Sequence, residues 1–225
     1  MEDFLIVICY ASVMEIRKPI LKKEELKKLV WEEMGDLATI FFDGVKVDGV
    51  VLDGRNFDEI NINGSVVENL SLQSSQVEEL KVVDSILSGC SFAGATFKQT
   101  FFERARIGQS RFQGTQLMQC VIRETVIEKS KCGDVSFRFA HIKNMVFLDC
   151  DMKSADFMGA ELENVIFRGC DLRNSQFSQA KLKNVNFKDA DIEGIAIGKD
   201  SFGNITVNTG QAIYLASTLG LNIED

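Results

Sequence analysis

The chain repeats every five residues, and that period is the strongest constraint on its fold. Counting in fives from Phe42 through Val47, Leu52, Phe57 and Ile62 to Phe202 and Val207 gives (207 − 42)/5 + 1 = 34 positions, each apolar when Cys132 is included. Thirteen of the 17 phenylalanines fall there. Two residues earlier lies a second selective position, where 25 of 34 residues are Ala, Cys, Ser, Thr or Val. An α-helix would rotate each repeat by about 140°, spreading the large residues around its axis. A straight strand with an odd period would send them to alternate faces. Two inward residues spaced as in a strand therefore require a turn after each short extended piece. Gly and Asn gather at one phase, two residues after the large position: Gly44, Gly49, Gly54, Gly64, Gly89, Gly94, Gly114, Asn144, Asn164, Asn184 and Asn204. Both tolerate the backbone angles of a corner.

The runs Ala155-Asp156-Phe157, Cys170-Asp171-Leu172 and Ala190-Asp191-Ile192 resemble the pentapeptide-repeat proteins, over about residues 37–207. The resemblance implies an all-β fold, a right-handed quadrilateral β-helix with four pentapeptides per coil. Thirty-four repeats then make about 8.5 coils, a rod of roughly 40 Å. Its interior is filled by side chains, so function must lie outside.

Stacked coils leave bare edges that need caps. Residues 1–36 read as an N-terminal cap, with a strand at Phe4–Cys9 and a helix at Lys22–Met34 whose Leu26, Leu29, Val30 and Met34 share a face before Gly35. Residues 37–208 are the repeat body. Residues 209–225 carry a second helix, Gln211–Leu219, with Thr209 or Asn208 as N-cap and Gly220 as stop. Its Ala212, Ile213, Leu215, Ala216 and Leu219 serve either as a lid on the last coil or as a homodimer contact. Members of the resembled family that protect DNA gyrase from quinolones often dimerise through such a helix. Larger residues at the small position, such as Ile40, Ile60, Leu70, Leu80, Ile195 and Asp200, are expected to mark coils deformed near the caps.

The net charge of −8, from 25 basic and 33 acidic residues, argues against direct nucleic-acid binding. Residues 41–208 hold 23 acidic and 19 basic side chains, 19 − 23 = −4, too weak a field for strong DNA mimicry. The run Phe4–Met14 follows Glu2 and Asp3, unlike a signal peptide, and is too short to span a bilayer. The six cysteines show no metal-ligand spacing. A cytoplasmic protein with reduced thiols is the expectation. Cys150 and Cys170 lie one coil apart but read as small core fillers rather than a disulfide. Asp43-Gly44, Asp48-Gly49 and Asp53-Gly54 are five apart, which suits corners and not calcium loops. His141, the single histidine, has no nucleophile motif near it and reads as a surface ladder residue. No catalytic residue, metal, cofactor or membrane contact is expected.

Residues 20 apart should stack on one face. The outward column Lys46, Val66, Ile86, Arg106, Val126, Val146, Ile166, Asn186, Thr206 is unusually apolar, with Leu148 beside it. Phe101 and Val121 precede His141 on the adjoining face, and Phe139 sits at the corner. Exposed contiguous apolar surface marks interaction sites. Phe101, Val121, Val126, Phe139, Val146, Leu148 and Ile166 are therefore the candidate surface for a protein partner, unless the N-terminal segment lies over them. The expected function is a non-catalytic adaptor. The alternative is a DNA mimic that binds or protects gyrase or topoisomerase.

Overall fold

The computed structural model describes residues 16–29 and 37–223. Residues 37–207 wind as a right-handed parallel β-solenoid of about nine turns in which residues 20 apart are hydrogen-bonded neighbours. Val121 pairs with His141, His141 with Glu161, and Glu161 with Lys181. On the next face Val66, Ile86, Arg106, Val126, Val146 and Ile166 follow one another in register. Four pentapeptides per coil follow directly, so the columns inferred from spacing are physical ladders.

The large residue of each repeat points into the tube. Phe137, Phe157 and Phe177 stack with ring centroids 5.1 and 4.7 Å apart, and Phe147, Phe167 and Phe187 stack at 5.1 and 5.2 Å. The two columns meet edge to face, as in the 5.7 Å pair Phe157–Phe167. The second inward residue is small because it sits tight against the backbone. Where it is serine it also serves the chain: the buried Ser65 hydroxyl donates to the Phe42 carbonyl at 3.0 Å and accepts the Val45 amide at 3.1 Å.

Most corners take a left-handed residue, two positions after the large one, with φ near +50° to +70°. Glu59, Glu79 and Gln99 are exceptions, and there the strands Asn56–Asn63, Gln76–Val83 and Thr96–Glu103 run through the bend. Ile60, Leu80 and Thr100 follow those corners, fully buried and in register. Ile60 and Leu80 thus accompany a different corner, and Leu70 is buried after the ordinary left-handed corner at Asn69; none of the three deforms its coil, contrary to the expectation from sequence. At the other end the expectation holds: Lys199–Asn204 is a 3-10 turn where a strand would have been.

The ends are closed differently. The helix expected at Lys22–Met34 does not form over its described part. Lys23–Glu25 is one 3-10 turn, and Lys27–Lys28 is extended, pairing in parallel with Val45 and Lys46. The first coil exposes a row of unpaired backbone groups, and joining it gives Lys27 and Leu29 amides the Gly44 and Lys46 carbonyls at 3.2 and 2.9 Å. That gain overrides helical periodicity. Residues 30–36 and the strand expected at Phe4–Cys9 lie outside the described residues. The C-terminal helix spans Thr209–Thr218 with Asn208 as N-cap in a capping box with Gln211. Leu215 is buried against the last coil, and the Tyr214 hydroxyl accepts the Gly194 amide at 2.6 Å.

Candidate protein-interaction surface

The register unites the predicted surface residues but does not leave them all exposed. Val126, Val146 and Ile166 are consecutive in one ladder, and Phe101 and Val121 in the next. Val126, however, is only 3% exposed, so the expectation that it lies free on an apolar face is corrected. Phe101, Val121, Val146, Leu148 and Ile166 are half-buried. Phe139 alone of the seven is well exposed, at 44%.

The N-terminal segment crosses the corner beside Val126. The Arg17 amide donates to Glu124 Oε2 at 3.0 Å, and the Ile20 amide donates to Asp84 Oδ1 at 3.0 Å. Three residues thus bridge two coils, about 10 Å, as an extended chain must. Pro19 suits such a stretch, since it has no amide hydrogen to satisfy. Glu124, Asp84 and Arg104 are successive left-handed corners. Arg104 binds Asp84 through Nε and Nη2, each at 2.6 Å. From Glu124 an amide ladder continues upward: Asn144 donates to Glu124 at 2.8 Å, Asn164 to Asn144 at 2.9 Å, and Asn184 to Asn164 at 2.9 Å.

Burial alone would raise the Glu124 carboxyl, but the Arg17 amide, the Asn144 amide and the Arg17 guanidinium together hold it below the usual carboxylate range. The Arg104 guanidinium holds Asp84 down, opposed by burial and helped by the Ile20 amide. A carboxylate with a depressed folded value stabilises above its unfolded value and loses that contribution as pH falls through the folded one. The strap should therefore loosen on acidification below about pH 4. The Glu124→Ala variant should loosen it at neutral pH, raising hydrogen exchange at Arg17 and Ile20 about tenfold or more while the rod's circular dichroism is unchanged. Full protection of those amides in Glu124→Ala would show that the carboxylate does not hold the segment.

Phe139 stands at the opposite end of the face that carries His141. Its φ is +57°, and it is the single apolar side chain among the non-glycine left-handed corners described. The ring lies over Gly159, where a Cβ would come within 2.6 Å of it. Glycine one coil on is therefore what lets the ring lie down. The Arg138 guanidinium is 5.8 Å from the ring centroid, and its Nη2 is 3.1 Å from Met158 Sδ. Met118, 41% exposed, occupies the coil below Arg138. Met118 and Met158 belong to no motif in the sequence. Their spacing of 20 from Arg138 is what places them beside it.

On the far side of Phe139 lies an open groove of about 320 Å3. Its floor is the backbone at Ile142, Leu162 and Leu182, and two rows of side chains flank it. His141, Glu161 and Lys181 form one row, joined at 3.1 and 2.6 Å. Arg123, Lys143, Glu163 and Lys183 form the other, with Glu163 held at 3.1 Å by Lys143 and 2.8 Å by Lys183. Lys181 lowers the Glu161 carboxyl, and Lys183 then Lys143 lower that of Glu163. Both carboxylates stay ionised at neutral pH, so neither is poised as a general acid. Burial pushes the Cys90 and Cys120 thiols up to about 11 and about 12, so neither supplies a thiolate. Cys132, Cys150 and Cys170 are likewise free and buried. Among the described residues no cluster of His, Cys, Asp or Glu could hold a metal ion, and no helix is long and apolar enough to cross a membrane.

The five predicted residues of the C-terminal helix divide. Leu215 is buried at 6% and Ala216 half-buried, whereas Ala212, Ile213 and Leu219 are exposed. Gln211, expected as the first residue of the helix but not as a contact, anchors it: its Nε2 donates to the Phe187 and Ala190 backbone carbonyl oxygens at 2.7 Å each.

Two family models match the chain, a pentapeptide repeat region over residues 129–197 and pentapeptide repeats over residues 85–123. No curated protein matches it. Among solved structures, a trypsin-treated form of QnrB1, a plasmid-mediated fluoroquinolone resistance protein, shares 16% identity over 80% of this chain and 100% of that one, with a TM-score of 0.28. HetL, involved in heterocyst differentiation regulation in the cyanobacterium Nostoc sp. strain PCC 7120, shares 14% over 74% and 88%, with a TM-score of 0.30. Rfr23 from the cyanobacterium Cyanothece 51142 shares 15% over 74% and 90%, with a TM-score of 0.22.

Proposed function

This chain belongs to the pentapeptide-repeat proteins, and from that premise we propose that it works without catalysis, as a rigid rod that holds a partner protein at the corner built around Phe139. The observation that carries this is the backbone of Phe139 itself. A left-handed conformation costs a side-chain-bearing residue about 1–2 kcal/mol, and the other described corners use Gly or polar residues. Phe139 accepts that strain and is still 44% exposed. Strain kept at an exposed aromatic points to use rather than to packing. Met118 and Met158 flank it with side chains that adapt to varied partner shapes.

Phe139→Gly separates binding from stability. Glycine relieves the strain and forfeits half a ring's burial, so the unfolding free energy should stay within about 1 kcal/mol of wild type. Affinity capture from a lysate of the source organism, with quantitative mass spectrometry, should lose its main partner. Retention of the same partners at wild-type levels would refute the reading.

A homodimer is a second reading, favoured by one observation: Ile213, Leu219, Leu221 and Ile223 are all exposed, at 42–60%, on the outer side of the C-terminal helix and tail. Sedimentation of wild type and Ile213→Lys/Leu219→Lys tests it. Gyrase mimicry has no comparable support. Its best acidic column, Asp151, Asp171 and Asp191, is cross-linked by Lys153 and Arg173 at 2.6–3.9 Å, which neutralises the field a DNA mimic needs.

A further inference from the structure

The groove beside Phe139 has the wrong sign for this protein. The whole chain carries −8, yet the two rows hold Arg123, Lys143, Lys181 and Lys183 against Glu161 and Glu163, 4 − 2 = +2 without His141. Each carboxylate is already shared by two partners. Neither can absorb more positive charge, and among the described residues Arg123 is in no ion pair. All four cations are exposed. Outward residues two apart on a strand stand about 7 Å apart, so the rows leave room for an extended backbone between them. From Arg123 to Lys183 is three coils, about 14 Å, the span of some four extended residues.

We propose that this groove receives an extended acidic segment of the partner protein, its carboxylates meeting Arg123, Lys143, Lys181 and Lys183 and a neighbouring apolar side chain meeting Phe139. The inference rests on the reading of Phe139 as a partner contact and adds the partner's chemistry. Charge complementarity selects the occupant. A basic segment would meet four like charges, and a nucleic acid would have to lay evenly spaced phosphates along rows in which Glu161 and Glu163 alternate with the cations. The interleaved Glu161 and Glu163 hold the lysines upright and favour discrete carboxylates over a uniform polyanion.

The test uses the full chain and three fluorescent probes: the peptide Glu-Asp-Phe-Glu-Asp-Glu, its Lys-Arg-Phe-Lys-Arg-Lys counterpart, and a 20-base-pair DNA duplex. Anisotropy should show binding of the acidic peptide alone, weakening as salt rises from 50 to 300 mM. Lys143→Gln/Lys183→Gln, which leaves Glu161 paired with Lys181, should weaken it about tenfold, and Phe139→Gly should weaken it separately. Circular dichroism confirms that both variants fold. No acidic-peptide binding, binding indifferent to the double substitution, or equal binding of the basic peptide or the duplex would each overturn the proposal. If the peptide fails while lysate capture still depends on Phe139, only the groove assignment falls. If capture is also independent of Phe139, the interaction reading falls with it.

Discussion

Phe167→Ala is expected to lower the unfolding free energy by about 3–5 kcal/mol. Phe167 touches four other rings: it stacks on Phe147 and Phe187 and meets Phe157 and Phe177 edge on at 5.7 and 5.9 Å. It is 1% exposed. Truncation leaves a void that the coils cannot close, because their spacing is fixed by the hydrogen-bonded ladders above and below. The loss should also be felt locally. Solenoid stability is close to a sum of nearest-neighbour terms, so one weak interface separates the rod into two units. Urea unfolding should then broaden or split, with amides beyond residue 168 exchanging first. Phe41→Ala is the control. Phe41 is exposed, and its loss should change stability by less than about 0.5 kcal/mol. Equal effects at the two sites would mean that the internal rings do not hold the rod.

Gln211→Ala should cost about 2–4 kcal/mol, concentrated at the C-terminal end. Gln211 does three things at once, two of them with its side chain. Its amide nitrogen serves the Phe187 and Ala190 carbonyls, its oxygen accepts the Asn208 amide at 2.8 Å, and its backbone amide donates to Asn208 Oδ1 at 2.9 Å. Alanine takes a buried donor from each of two carbonyls, at about 1–3 kcal/mol each before relaxation, and removes the side-chain half of the capping box. The helix Thr209–Thr218 should fray, exposing Leu215, with faster exchange over 181–206. Gln211→Glu is the sharper variant. At neutral pH its carboxylate cannot donate and would face two carbonyl oxygens, so it should destabilise at least as much as alanine. Protonation in acid restores one donor, so its deficit should shrink as pH falls. A Gln211→Glu deficit that does not shrink in acid would mean that the bonds to the two carbonyls are not what seats the helix.

The body of the rod was legible because its rule is strict and local. A large residue every five positions, a small one two before it and Gly or Asn two after admit one winding, and the columns at a spacing of 20 followed. Inside the repeat, Ile60 and Leu80 broke the small-residue rule without deforming a coil; the other failures depended on segments outside it. Lys22–Met34 has helical spacing, but its Lys27–Leu29 stretch faces an unpaired coil edge, a long-range reward that periodicity does not register. Val126 looked exposed because its ladder position points outward, and only the path of Arg17 to Ile20 reveals that this corner is occupied. The groove was half visible. The column through Val121 and His141 stands out for its apolar members, but Lys143, Glu163 and Lys183 lie after the large residue, not before it. Their meaning comes from charge counted across both rows. Phe139 was placed at its corner by spacing, whereas its strain and the matching Gly159 needed the backbone.

The coil-to-coil register has a consequence for how such a chain can change length. Inserting one pentapeptide keeps every large residue inward, so the core would accept it. It would also turn everything downstream by a quarter, like a dial moved one notch. Arg123 would then stand above a row inherited from another face, and Lys143 and Lys183 would point elsewhere. A whole coil of 20 residues could be added or lost without that rotation. Folding therefore counts this sequence in fives, while anything that reads its outside counts in twenties.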